Sequence, residues 1–191
     1  MKETIKLGVI LLLFTAAAGA VLAFSNSITE PIIAEQEKEG SLGALREIFE
    51  DADDFEAVED SVLSDIQSEY ESIVEIYEAL VGDEVTGYAL KSISGGYGGD
   101  ITTVSGFNMD GTFAGIKVVD NSETPDLGTV IEEDYFSDSF KDKTTSEDLI
   151  AVDSPSADNE VQLLSGATIS TNGVLSGVNK AREAFENYLA D

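Results

Sequence analysis

The sequence contains no cysteine, no histidine and no tryptophan. Without cysteine there is no disulfide, no thiolate metal site, no Cys-ligated iron–sulfur cluster, no c-type haem attachment and no lipidated cysteine anchor. Without histidine there is no Ser-His-Asp or Cys-His catalysis, no HExxH zinc site and no His-ligated haem. No side chain changes charge by default near neutral pH. Redox chemistry must therefore come from an organic cofactor, and acid–base chemistry from carboxylates, lysine or tyrosine. Basic residues are scarce as well: 10 Lys and Arg face 38 Asp and Glu, a formal charge of −28. Phosphate affinity needs clustered Lys and Arg, so this balance argues against a nucleic-acid partner and against docking on anionic lipid headgroups. So acidic a chain presents a heavily solvated surface, repels itself at low salt and is typical of halophile proteins. A saline host or compartment is the resulting hypothesis.

With 191 residues, 42% of them hydrophobic, the chain fits one domain plus a short appendage. Residues Leu7 to Phe24 form an uncharged run of 18, about the shortest stretch that spans a bilayer. Lys2 and Lys6 precede it, and acidic residues dominate from Glu30 onward. The positive-inside rule then puts the N-terminus in the cytoplasm and everything after Phe24 outside. Ala18, Ala20 and Ala23 offer the A-x-A-like pattern of a cleaved signal peptide as the alternative. Run length and the short leader favour a retained anchor.

The expected organisation is a cytoplasmic tip and anchor over 1–24, a helical and acidic connector over 25–70, and the main domain over 71–191. Thr29 and Pro31 read as the cap and first turn of a helix that follows a linker. Leu42, Leu45, Ile48 and Phe49 then have helical spacing. The acidic stretch from Asp51 to Asp60 fails the calcium-loop pattern, with Glu56 where Gly is needed and Val62 where Glu is needed; a solvated loop or helix surface is expected. Strands are expected from Ile73 and over Val85–Ile93, with a turn at Gly82-Asp83. Ile101–Asn108 and Thr112–Asp120 are joined by Met109-Asp110-Gly111, a hairpin signal. Glu132–Lys141 reads as a short helix, and Leu149–Val152 and Val161–Leu164 as short strands. Ser170 or Thr171 is placed to cap a final helix whose buried face carries Val174, Val178, Ala181, Phe185 and Leu189. The class is α+β: an antiparallel sheet with helices behind an N-terminal transmembrane helix.

Three segments stand out chemically. Ser94–Asp100 sets four glycines around Tyr97; it has neither dinucleotide-fingerprint nor P-loop spacing, and a flexible hairpin loop explains it equally. Glu123-Thr124-Pro125-Asp126-Leu127-Gly128 reads on composition as a structural turn. Ser165-Gly166-Ala167-Thr168-Ile169-Ser170-Thr171 puts small residues and hydroxyls at a helix N-terminus, where free N–H groups favour phosphate; an ordinary Ser/Thr cap is the simpler reading.

Together these segments resemble a known family. Ser165–Thr168, SGAT, is similar to the flavinylation motif of the FMN-binding domain found in the RnfG subunit of the Rnf complex and the NqrC subunit of the sodium-pumping NADH:quinone reductase. Gly96–Gly99 matches its GYGG segment, and Glu123–Gly128 its ETPGLG segment, with Asp126 where Gly is usual. Other departures are Gln162, where an acidic residue is used in recognition by the modifying enzyme, Asp100 for a proline, and Asn121 for a histidine. The resemblance covers essentially the whole chain. It implies FMN joined by a phosphoester to Thr168. Ser165, Gly166, Ala167, Ser170 and Thr171 would surround the phosphate. Tyr97, Gly98 and Gly99, with Glu123, Thr124, Leu127 and Gly128, would lie along the ring.

It further implies an electron-transfer subunit of a membrane-bound, ion-translocating ferredoxin:NAD⁺ oxidoreductase, with no substrate of its own. Its partners would be the other membrane subunits and, for maturation, an FAD:protein FMN transferase. The shorter chain favours RnfG over NqrC. A flavin-free acidic extracytoplasmic binding domain is the alternative from another class. A hydrolase is the weakest reading, since no carboxylate pair is singled out by spacing.

Overall fold

The computed structural model describes residues 2–190, with backbone alone at 32, 34, 35, 37 and 38. These residues fall into two compact units, one ending at Gly40 and one beginning at Ser41. The first unit belongs to a single helix, α1 (Lys2–Ile48). Its stretch Lys2–Pro31 is long and apolar enough to cross a membrane. Leu11, Leu13, Phe14, Leu22 and Phe24 are all exposed along it, as lipid-facing side chains would be. The expected linker and helix start at Thr29–Pro31 are corrected. The Thr29 hydroxyl donates back to the carbonyls of Ser25 and Asn26, and Ser27 to that of Phe24. These hydroxyls serve carbonyls one turn earlier in a helix already under way. Pro31 lies inside it, costing one backbone hydrogen bond without ending the helix.

The second unit starts with the end of α1, which buries Ala44, Leu45, Ile48 and Phe49 as the helical spacing requires. Then follow β1 (Asp54–Ala57), α2 (Asp60–Gln67), β2 (Ile73–Val81), β3 (Glu84–Gly95), β4 (Asp100–Asn108) and β5 (Phe113–Asn121). The five strands form one antiparallel sheet in chain order. β1 is a finding against the solvated loop or helix surface expected of the acidic stretch. Asp54 and Glu56 stay exposed while their backbone pairs with Leu80 and Glu78 of β2. Solvation of the carboxylates and strand pairing are compatible on an edge.

Between β5 and the C-terminus lie a 3₁₀ turn (Thr129–Glu132), α3 (Asp134–Ser137), a second 3₁₀ turn (Asp138–Phe140), β6 (Ile150–Val152), β7 (Glu160–Gln162) and α4 (Thr168–Tyr188). The helix expected over Glu132–Lys141 is instead set apart from the first 3₁₀ turn by Glu133, extended at ψ 139°, and runs as one short α turn followed directly by a 3₁₀ turn. Phe136 and Phe140, four residues apart and so on one face of the turns, both point inward, edge to face at 5.2 Å. β6 and β7 pair in parallel.

One face of the sheet packs on α4, where Val174, Val178, Ala181 and Phe185 are buried. Phe185 stacks on Phe107 of β4 at 4.9 Å and 11°, and Phe107 meets Phe113 of β5 at 4.9 Å. The other face packs Ala79, Ala89 and Val104 on Ala44, Leu45, Ile48 and Phe49. There the Nζ of buried Lys91 pairs with Glu75 at 3.0 Å, and the Tyr77 hydroxyl donates to the second Glu75 oxygen at 2.9 Å. Burial first, then Glu75, pushes the Tyr77 phenol up to about 12.

Candidate functional site

The ends of β3, β4 and β5 bring three loops together. Gly96–Gly99 is the tip of the β3–β4 hairpin, closed by the Gly96 N–H donating to the Gly99 carbonyl at 2.7 Å. Residues 122–128 leave β5. The amides of Leu127 and Gly128 fold back onto the Thr124 carbonyl at 3.2 and 2.8 Å. At the apex Asp126 adopts φ 62°, in the left-handed region. The family's glycine at this position is explained: the backbone is left-handed, and Asp is among the few other residues that tolerate it. Residues 163–167 lead from β7 into α4.

Glu123 joins these loops. One carboxylate oxygen accepts from the N–H groups of Tyr97 and Gly98 at 2.7 and 3.0 Å, and the other from the Ser170 hydroxyl at 2.6 Å. Burial acts to raise its pKa, but Ser170 and the Gly98 and Tyr97 amides outweigh it and hold the carboxyl below its ordinary value.

The loops enclose a cleft of about 540 Å³ lined by Tyr97, Glu123, Thr124, Leu127, Gly128, Gly166, Ala167, Thr168, Ile169 and Ser170. That size suits a cofactor. Tyr97, Leu127 and Ile169 stay well exposed around it, at 70, 51 and 55%. No Lys or Arg is among the lining residues.

Helix α4 begins at Thr168, earlier than the expected cap. Ala167 occupies the capping position and makes no side-chain cap bond. Ser170 and Thr171 lie inside the first turn, one hydroxyl given to Glu123 and the other to the Ala167 carbonyl at 3.0 Å. Neither caps the helix, because both hydroxyls are buried against other acceptors. Among the described residues the N–H groups of Thr168, Ile169 and Ser170 meet no protein acceptor, whereas that of Thr171 donates to Ala167 at 2.8 Å. Thr168 itself is exposed. The first turn therefore offers an anion an exposed hydroxyl and three amide donors.

Of the residues singled out in the sequence, Tyr97, Glu123, Thr124, Leu127, Gly128, Gly166, Ala167, Thr168 and Ser170 line the cleft. Gly98 and Gly99 act through the hairpin backbone, exposed Ser165 precedes the helix, and Thr171 is buried behind it. Ile169 is a lining residue that sequence reasoning missed. It sits five residues before Val174, about 140° round the helix from the buried stripe at 100° per residue. An apolar residue so far off the core face was the available signal.

Residues 96–183 match the family model described as FMN-binding domain, and residues 1–48 that described as RnfG N-terminal region. The chain thus holds an FMN-binding domain that follows an N-terminal apolar helix. The RnfG subunit of the Na⁺-translocating ferredoxin:NAD⁺ oxidoreductase complex of Acetobacterium woodii is 33% identical over 97% of this chain and 93% of its own length. The corresponding subunit of the proton-translocating complex of Clostridium ljungdahlii is 30% identical over 90% of this chain and 85% of its own. The chain belongs to the RnfG family of subunits of ion-translocating oxidoreductase complexes. Among solved structures, the NqrC-type subunit of the Na⁺-translocating NADH-quinone reductase from Parabacteroides distasonis shares the fold with TM-score 0.54 at 22% identity, over 61% of this chain and 63% of that one. NqrC of Shewanella oneidensis does so with TM-score 0.53 at 18% identity, over 60% and 58%. The chain spans about three fifths of the length of both.

Proposed function

We propose that this chain carries FMN as a phosphoester on Thr168 and serves as an electron-transfer subunit of a membrane-bound, ion-translocating ferredoxin:NAD⁺ oxidoreductase. The observation that carries the reading is Thr168, an exposed hydroxyl on the first residue of α4, bordering the cleft beside three unpartnered amides. A phosphate there would meet the amide donors and positive end of α4, the charge complement in a cleft without Lys or Arg. Ser165, Gly166 and Ala167 are small enough to leave the phosphate room, with Ser170 and Thr171 behind it. Tyr97, Leu127 and Ile169 offer apolar surface for the ring, and Gly98, Gly99, Thr124 and Gly128 keep the loop backbones close to it. When bound, the flavin supplies the electron chemistry; the protein holds and tunes it.

The remaining assignments follow from the same reading. Lys2 and Lys6 keep the N-terminus cytoplasmic, so the FMN-binding domain lies outside. The anchor lies within 1–24; because β1 and α2 belong to the compact unit that begins at Ser41, the flavin domain is drawn from there rather than from 71, and the connector expected over 25–70 shortens to 25–40. Partners are the other membrane subunits, and attachment requires an FAD:protein FMN transferase.

Peptide mass mapping of the chain purified from its native host tests the proposal, with Thr168→Ala as control. The expected result is an FMN-sized adduct on the Thr168 peptide, absent in the variant. A colourless protein with unmodified Thr168 would sink it and favour the flavin-free binding domain.

A further inference from the structure

Among the described residues Glu123 is the only buried carboxylate, 6% exposed in a chain with 38 acidic residues. A buried charge persists only where donors satisfy it. Its donors come from two elements far apart in sequence, the hairpin tip and the first turn of α4. The Asn121 side-chain oxygen accepts from the Glu123 N–H at 3.0 Å and sets its backbone. Two motif glycines make room for the carboxylate. A Cβ on Gly128 would lie 2.6 Å from one oxygen, and a Cβ on Gly96 would run into the other. The consecutive amides of Tyr97 and Gly98 form the kind of concavity that binds anions, and Glu123 fills it.

We propose that Glu123 is a positioning residue whose carboxylate stands in for an anion in the 96–99 loop and ties that loop to α4 through Ser170. It thereby directs the flavin phosphate to the amides of α4 and keeps a fixed negative charge beside the ring. The inference deepens the FMN reading and rests on it for the identity of the ligand; the tie between loop and helix does not.

The test uses the full chain with Glu123→Gln, which keeps shape but removes charge, and Ser170→Ala, which keeps the charge but removes one donor. In chain produced without flavin, amide hydrogen exchange is read at Tyr97 and Gly98. Charge-assisted hydrogen bonds are roughly twice as strong as neutral ones, so exchange should accelerate about tenfold in Glu123→Gln and less in Ser170→Ala. In flavin-loaded chain the midpoint potential of Glu123→Gln should rise, since the reduced flavin no longer faces a fixed negative charge. Exchange within about twofold of the parent in both variants, or an unchanged potential in loaded Glu123→Gln, overturns the proposal. Should Glu123→Gln not fold, Ser170→Ala decides by exchange. A parent chain without flavin ends the FMN reading but leaves the exchange result standing.

Discussion

Substituting Gly173 by alanine should weaken the domain although alanine is the better helix former. Gly173 lies in the second turn of α4, against β3. A Cβ there would sit 2.7 Å from the Gly95 carbonyl oxygen, 3.2 Å from Ile101 and 3.3 Å from the Gly96 Cα. Ordinary contact begins near 3.4 Å, so helix and strand must part by about 0.7 Å, the difference between 3.4 and 2.7. The nearest obstacle is backbone, which cannot swing aside as a side chain can. Alanine gains about 1 kcal/mol of helix propensity, whereas forcing extra volume into a packed contact costs about 1–3 kcal/mol. The cost wins by about 1 kcal/mol, which lowers Tm by about 2–4 °C in a domain of this size. Gly43 is the control. It is a helical glycine of α1 with nothing within 4 Å of its Cβ position, so Gly43→Ala should gain up to about 1 kcal/mol and raise Tm. Both are read by calorimetry on purified full chain. If Gly173→Ala melts at or above the parent, α4 does not approach β3 this closely and the argument fails.

Thr168→Ala should leave Tm unchanged within about 1 °C in flavin-free protein, because Thr168 is exposed and makes no cap bond; a drop of several degrees would reveal a structural role. Glu123 supplies a pH dependence. Its folded pKa lies below the ordinary value, so its stabilisation is complete above the unfolded value of about 4.3 and is lost as pH falls through the folded value. The stability difference between parent and Glu123→Gln should therefore be constant from pH 7 to about 5 and shrink at lower pH; denaturant titrations at each pH would show it, and a difference flat into acid would contradict it. With a formal charge of −28, Tm should rise with NaCl through screening, and a flat melt series would remove the saline-host hypothesis.

The parts of the fold legible in the sequence are those with local causes. Asp110-Gly111 between two apolar runs marks the β4–β5 hairpin, and the period of Val174, Val178, Ala181 and Phe185 marks the core face of α4. β1 is illegible because Asp54 and Glu56 disfavour a strand locally; only pairing with β2 creates it. Thr29 and Pro31 mislead because a hydroxyl and a proline are common at helix starts, yet here they sit inside a longer helix, which bears the loss of one backbone hydrogen bond without ending. The cleft is readable as three segments rich in small residues, but not as one site. Its closure depends on Glu123 reaching residues 25, 26 and 47 positions away, a pairing that no local pattern announces.

The order of the chain fixes the order of assembly. β1 to β5 pair only with sequence neighbours, so the sheet can form progressively as the polypeptide is made. The cleft cannot, since half of its wall, from Gly166 to Ser170, lies where α4 begins. Any ligand held there is acquired only once the start of α4 has been made and docked, and chains truncated before α4 lack half of the wall that lines it. Occupancy of the cleft thus reports that α4, Thr168–Tyr188, has been made and has docked on the sheet.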